Sequence, residues 1–388
     1  MDDTPNTLIR TPPPLSLYVH LPWCVRKCPY CDFNSHPIHG HGIDEQAYLA
    51  ALIDDLESQL PRIWGRTVHT VFIGGGTPSV FSAAALDELL CQLRARLLLR
   101  ADAEITLEAN PGAVDSGRFR GYRDAGINRL SLGIQSFNDT MLKKLGRIHD
   151  GQAARAAFEA ARAAGFSCIN LDLMYGLPGQ TPTEAAHDLA TAVALQPEHI
   201  SYYQLTIEPN TAFAHHPPPL PDDQELWAMH HNALEYLTAH GYSRYEISAY
   251  AQKAQHCHHN LNYWHFGDYL GIGAGAHGKL TLPRDQTIIR LHQHRHPTRY
   301  CTAADKTAGT TVLTPDDLKI EFALNAFRLT DGFSPTLFQE RTGLPLKAIG
   351  GPLQQAVQQG LIEYHEHWIR PTELGQRFLN DLIGLFLP

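Results

Sequence analysis

Three cysteines fall within eight residues, in the run Pro22-Trp23-Cys24-Val25-Arg26-Lys27-Cys28-Pro29-Tyr30-Cys31-Asp32-Phe33. The spacing is C-x3-C-x2-C. Three thiolates on one short loop can bind three irons of a cubane cluster and leave the fourth iron without a protein ligand. An iron left open in this way can bind a substrate or cofactor directly. The competing chemistry is a structural zinc site completed by His20 or His36. Structural zinc sites usually pair two close ligands with two distant ones, which three clustered cysteines do not do.

A second set of residues follows successive strand-like runs. Gly74-Gly75-Gly76-Thr77-Pro78 comes directly after Val68–Ile73 and exposes backbone that a small ligand can approach closely. It lacks the lysine and the glycine spacing of a phosphate-cradling loop. Glu108-Ala109-Asn110-Pro111 and Gln135-Ser136-Phe137 close two further runs, and Asp172 lies in a fifth that exits through Tyr175-Gly176-Leu177-Pro178-Gly179. Taken singly, Glu108, Gln135 and Asp172 read as helix caps or turn residues. Taken together, at the ends of neighbouring parallel strands, they would converge on one face.

The elements that must position them alternate. Strands are predicted over 15–21, 68–73, 103–109, 128–134, 168–174 and 199–207, with helices over 44–60, 82–100, 115–125, 151–164 and 183–195 between them. Six strands separated by helices call for parallel βα units with right-handed crossovers. Six units are too few for a complete eight-fold barrel. Residues 208–222 form a proline-rich loop, 224–240 a helix, and 256–301 a stretch rich in histidine, glycine and aromatic residues with little periodicity. From about 312, three helices and a hairpin at 361–371 suggest a winged-helix-like domain. The expected division is therefore 1–250, a connecting region over 251–310, and 311–388.

Length and composition set the frame. The 388 residues fit two or three domains, 43% hydrophobic and 18% charged residues fit a soluble globular chain, and the net charge is −9. Residues 316–388 carry six Lys/Arg against nine Asp/Glu, which argues against nucleic-acid binding by the C-terminal domain. The acidic, proline-rich N-terminus shows no signal peptide, no run reaches the length of a membrane span, and seven cysteines do not make a disulfide framework. A cytoplasmic location is expected. The apolar tail Asp381–Pro388 is too short to span a bilayer, though transient membrane contact stays open.

The cysteine run with Tyr30 before its third cysteine, and GGGTP after the second strand, resembles the radical S-adenosylmethionine superfamily, within it the group related to oxygen-independent coproporphyrinogen III oxidase. The resemblance extends from Tyr18 through the C-terminal domain and implies a partial (β/α)6 barrel. It implies that Cys24, Cys28 and Cys31 hold a [4Fe–4S] cluster whose open iron is chelated by S-adenosylmethionine. Tyr18 and Tyr30 would pack near that cofactor, and Gly75, Gly76 and Thr77 would face its methionine part. Glu108 would accept from its amino group, Arg147 would pair with its carboxylate, and Gln135 and Asp172 would bind its ribose. Carboxylates and an amide suit hydroxyls and an ammonium, and a guanidinium suits a carboxylate.

Two departures separate subfamilies. The decarboxylating oxidase has a fourth cysteine where this chain has Phe33, and a long N-terminal segment where about fourteen residues precede the first strand here. Both departures, and His259-Asn260-Leu261-Asn262-Tyr263-Trp264, an H-N-x-x-Y-W motif, resemble the HemW family of heme chaperones. That resemblance implies heme as cargo and a membrane-bound respiratory protein as acceptor, with the oxidase as the alternative. Oligomeric state, monomer or homodimer, stays open. Heme iron needs an axial ligand and an apolar pocket. His259, within its motif, is the candidate among 23 histidines. His292, His294 and His296 would share a face if extended and otherwise read as solvated.

Overall fold

Six apolar runs form strands in the order in which they occur along the chain. β1 (Leu15–Leu21), β2 (Thr67–Gly75), β3 (Leu98–Ala109), β4 (Arg129–Gln135), β5 (Ile169–Tyr175) and β6 (His199–Gln204) lie side by side, each parallel to the next. The computed structural model describes residues 9, 11–40, 42–113 and 116–387. The N-terminal residues read as free of a signal peptide lie, through residue 8, outside these. Helices α1 (Glu45–Ile63), α2 (Ala83–Arg96), α3 (Ser116–Asp124), α4 (Asp139–Lys144), α5 (Gly151–Ala163) and α6 (Pro182–Ala194) make the crossovers. Asp44, Ser82, Asp150 and Thr181 each cap a helix by accepting from the amide three residues on.

Side chains alternate across the strands, and the two faces differ in chemistry. Leu17, Val19, Val71, Ile73, Leu107, Leu132 and Leu171 point one way and join the helices in the main core. The other face carries Tyr18, His20, Thr70, Thr106, Glu108, Ser131, Asp172 and Ser201, buried or nearly so. Parallel register places Glu108 beside Ser131, and Asp172 beside Ser201. A strand polar on alternate residues usually faces water. Here the polar face is interior, and the polar groups bond one another.

β1 pairs with β2 on one side and with β9 (Asp268–Ile272) on the other, so it does not close on β6. β7 (Ser243–Glu246) and β8 (Ala249–Ala251) add to the β6 edge, and β10 (His277–Leu282), β11 (Thr287–Gln293) and β12 (Thr307–Val312) extend the β9 edge antiparallel. The order is β12-β11-β10-β9-β1-β2-β3-β4-β5-β6-β8-β7. The segment expected as a connecting region over 251–310 is thus built into the sheet. Glycines hide its period: a Cβ on Gly271 would sit 1.9 Å from the His277 carbonyl oxygen, and one on Gly273 2.3 Å from that of His20. Close backbone approach takes the place of side-chain alternation there.

The C-terminal elements follow the expected order. Helices Pro315–Ala326, Pro335–Thr342 and Gly350–Gln358 precede a hairpin of β13 (Ile362–Tyr364) and β14 (Ile369–Pro371) and two short helices. Phe322, Phe327, Phe333, Phe338 and Ile369 form a second core that also takes in Phe266 and Ile288 from the sheet side.

Candidate functional site

The C-terminal ends of the parallel strands open on a cavity of about 540 Å³. Cys24, Cys28 and Cys31 line it together with Tyr30, Gly75, Gly76, Thr77, Glu108, Gln135, Arg147 and Asp172. Residues up to 184 apart in sequence, from Cys24 to Glu208, therefore share one wall. Of the residues the sequence assigned to this site, only Tyr18 lies elsewhere, in a neighbouring cavity.

The cysteine loop leaves β1 and is folded by a short parallel pairing of Trp23–Cys24 with His36–Pro37. Lys27 Nζ donates to the carbonyls of Phe33 and Ser35, pinning the turn. Polar groups surround the thiols: Thr77 Oγ1 donates to Cys24 Sγ at 3.3 Å, Arg147 Nη1 lies 3.8 Å from Cys28 Sγ, and Ser35 Oγ lies 3.8 Å from Cys31 Sγ. Burial pushes the Cys24 and Cys31 thiols up. Thiols held protonated in this way lose the proton to a bound metal. The two histidines nearest the loop differ. His20 has both ring nitrogens committed, Nδ1 to Tyr18 Oη at 3.0 Å and Nε2 to the Asn34 carbonyl at 2.9 Å. His36 packs edge-on against His296, and its Nε2 is buried without a hydrogen-bond partner.

The glycine run seats this loop. Gly76 N donates to the Leu21 carbonyl and Thr77 N to that of Trp23. A Cβ on Gly76 would sit 2.6 Å from the Trp23 carbonyl oxygen, and Gly75 has φ of 122° with the His20 ring 2.8 Å from where its Cβ would be. Only glycine lets β2 end this close to the cysteines.

Glu108 is half-buried at the end of β3 and accepts from Gly75 N at 3.0 Å. Burial, then the charge of Asp172, pushes its carboxyl up to about 8. Asp172 accepts from Ser131 Oγ and Asn170 Nδ2, and burial raises its carboxyl too. Gln135 has φ of 69°, uncommon for a side chain, at a register shift between β4 and β5. Its Oε1 accepts from Tyr203 Oη at 2.7 Å. Arg147 donates from Nη2 to the Gly133 carbonyl at 2.5 Å, while its Nε is buried without a partner. A buried guanidinium with a spare donor beside thiols and carboxylates suits a zwitterionic ligand whose carboxylate would take that donor.

A second cavity, of about 590 Å³, adjoins the first and shares Phe33, Gly75 and Glu108 with it. Tyr18, Tyr263, Trp264, Phe266 and Tyr269 supply rings, and His277, Lys279, Arg290 and Arg295 supply polar and charged groups. The sequence reading reached Tyr263 and Trp264 but not the residues of β9 to β11. The signal was faint but present: Ile288, Arg290 and His292 occupy alternate positions of β11.

His259 needs correction. It is 1% exposed in the helix His258–Trp264, its Nδ1 bonded to Thr70 Oγ1 and its Nε2 to Tyr263 Oη, both at 2.8 Å. Its ring packs on Phe72 at 5.1 Å, and burial followed by Arg129 lowers its pKa to about 3. No ring nitrogen is free for iron. The motif histidine pins a helix to β2, and Tyr263 and Trp264 reach the cavity from that helix. His292 stacks on His277, and His296 turns to His36, so the three spaced histidines do not share a face.

A family model described as Radical SAM superfamily matches residues 18–192, and one described as HemN C-terminal domain matches residues 313–378. The fold and these family models define a radical SAM protein. The solved coproporphyrinogen III oxidase (HemN) from Escherichia coli superposes with a TM-score of 0.81 over 98% of this chain and 92% of that one, at 24% identity, a likeness of fold. Heme chaperone HemW of Escherichia coli is 50% identical over 97% of this chain and 98% of its own length, and that of Haemophilus influenzae 49% identical over the same shares. The Bacillus subtilis protein of that name is 35% identical over 96% of this chain. The chain belongs to the HemW family of heme chaperones.

Proposed function

We propose that this chain holds a [4Fe–4S] cluster on Cys24, Cys28 and Cys31, binds S-adenosylmethionine beside it, and carries heme to a membrane-bound respiratory acceptor from the cytoplasm. The observation that carries the reading is the shared wall of three thiols, Glu108, Gln135, Arg147 and Asp172. When bound, the cluster supplies an open iron that can pass an electron to the cofactor. The chain's own residues do the positioning. Glu108 takes the amino group, Arg147 the carboxylate through its spare Nε, Gln135 and Asp172 the ribose hydroxyls, and Gly75 to Thr77 the methionine part, with Tyr30 packed alongside.

Phe33, 61% exposed, stands where the decarboxylating oxidase carries a cysteine, so stoichiometric decarboxylation of coproporphyrinogen III is not expected. No helix of the described residues is long and apolar enough to cross a membrane, so delivery to a membrane protein would proceed by contact. The test is anaerobic reconstitution with iron, sulfide and zinc analysis, followed by transfer of bound heme to respiratory membranes. About four irons per chain and transfer are expected. Tightly held zinc in place of iron, or retention of heme, would overturn the reading.

A further inference from the structure

Asp172, on the wall of the cysteine cavity, ends a chain of hydrogen bonds along the interior face of the strands. Asn170 and Asp172 stand on that face of β5, and parallel register sets His199 of β6 beside Asn170 and Ser201 beside Asp172. Asn170 Nδ2 donates to Asp172 Oδ1 and to Ser131 Oγ, both at 2.8 Å. Its Oδ1 lies 2.6 Å from His199 Nδ1 and accepts from Ser201 Oγ at 3.1 Å. His199 Nε2 lies 2.8 Å from Tyr245 Oη, which accepts in turn from Cys257 N, just before the helix His258–Trp264.

The partners fix which way each group points. A carboxylate only accepts, so the Asn170 amide turns its nitrogen to Asp172 and its oxygen to β6. That oxygen also only accepts. His199 therefore carries its proton on Nδ1 and accepts on Nε2 from the Tyr245 hydroxyl. His199 is 1% exposed, and burial, then Arg129, holds its pKa well below the usual histidine range, so the ring is neutral with one donor and one acceptor. Both are spent on this chain of bonds. Asp172 has Oδ1 held by Asn170 and Oδ2 by Ser131, and each oxygen keeps a further lone pair for a ligand in the cavity it lines.

Resting on the reading above that Asp172 takes the ribose hydroxyls of S-adenosylmethionine, we propose that His199 is a positioning residue for that contact. Through Asn170 it fixes the orientation of the Asp172 carboxylate. It thereby sets how strongly the site prefers a cofactor with ribose hydroxyls over one without them. His199 itself is not among the described residues that line the cavity, so it acts on the ligand only through its neighbours.

The test measures, by calorimetry on the anaerobically reconstituted full chain, the affinity for S-adenosylmethionine and for an analogue whose ribose lacks both hydroxyls. Wild type should prefer the natural cofactor about 10- to 100-fold. His199→Gln sends its amide toward Tyr245 and leaves Asn170 without the Nδ1 donor. The natural cofactor should then bind about three- to tenfold more weakly, with the analogue unchanged. His199→Asn keeps a donor where Nδ1 stands, and the preference should survive. In nitrogen NMR of the histidine-labelled chain, the ring signal missing from His199→Asn should be that of the Nδ1–H tautomer. Equal weakening of both ligands in His199→Gln, equal effects of the two variants, or the Nε2–H tautomer would overturn the positioning role while the cofactor reading stands. Failure of wild type to prefer the natural cofactor, or a preference that Asp172→Ala leaves intact, would overturn the reading of Asp172 and the proposal with it.

Discussion

The two adjoining cavities are built on opposite plans. In the cysteine cavity nearly every polar group is held by a second one: Glu108 by Gly75 N, Gln135 by Tyr203, Asp172 by Ser131 and Asn170. In the aromatic cavity rings make the walls, and one imidazole is held only by a stack. The first is pre-organised for a small polar molecule whose every group is recognised. The second suits a large, flat cargo that must leave again, since few fixed hydrogen bonds have to break on release.

The largest effect expected is total. Cys24→Ala should abolish cluster assembly, measured as iron and acid-labile sulfide, while heme binding survives. Loss of both ligands together would erase the distinction between the cavities.

Glu108→Gln is expected next. Losing a charge-assisted contact should weaken S-adenosylmethionine about 10- to 100-fold by calorimetry. The same change should stabilise the ligand-free protein at alkaline pH. Glu108 titrates at about 8 when folded, against an ordinary 4.5, so the folded chain keeps a proton that the unfolded chain releases. Stability is therefore lost as pH rises from 4.5 through about 8, and glutamine removes that loss. By the same sign, an ammonium bound at Glu108 expels the proton, and affinity should rise with pH up to about 8.

His259→Ala tests the structural role of the motif histidine. It strands the Tyr263 hydroxyl and opens a hole beside Phe72, so a loss of about 2–4 kcal/mol in chemical denaturation is expected, with the spectrum of bound heme retained. A lost heme spectrum in a stably folded variant would return the ligand role to this residue.

Per residue and per pH unit, the smallest effect is graded. Burial first holds His20, His149 and His230 at about 4 and His259 at about 3, so each stays neutral when folded. The unfolded chain gains protons below 6.5, and stability should fall by about 1.4 kcal/mol per pH unit for each as pH drops toward 4. Thermal melts across pH 7 to 4 check this.

Much of this was legible in the residues themselves. The six parallel strands and their helices announced themselves by period and caps, and Cys24, Cys28, Cys31, Glu108, Gln135, Arg147 and Asp172 do line one cavity. The β9–β12 extension was barely legible. Its glycines replace side-chain alternation with backbone packing, so its strands lack the pattern that marks β1. His259 misled for a related reason: a motif shows which residue type is required, and burial with two hydrogen bonds shows that the requirement is structural.

The central claim is that the chain holds S-adenosylmethionine and heme at once. Equilibrium dialysis of the anaerobically reconstituted protein against labelled S-adenosylmethionine, with and without saturating heme, tests it most directly. One S-adenosylmethionine per chain should be retained in both cases. Stoichiometric displacement of one ligand by the other would contradict the account.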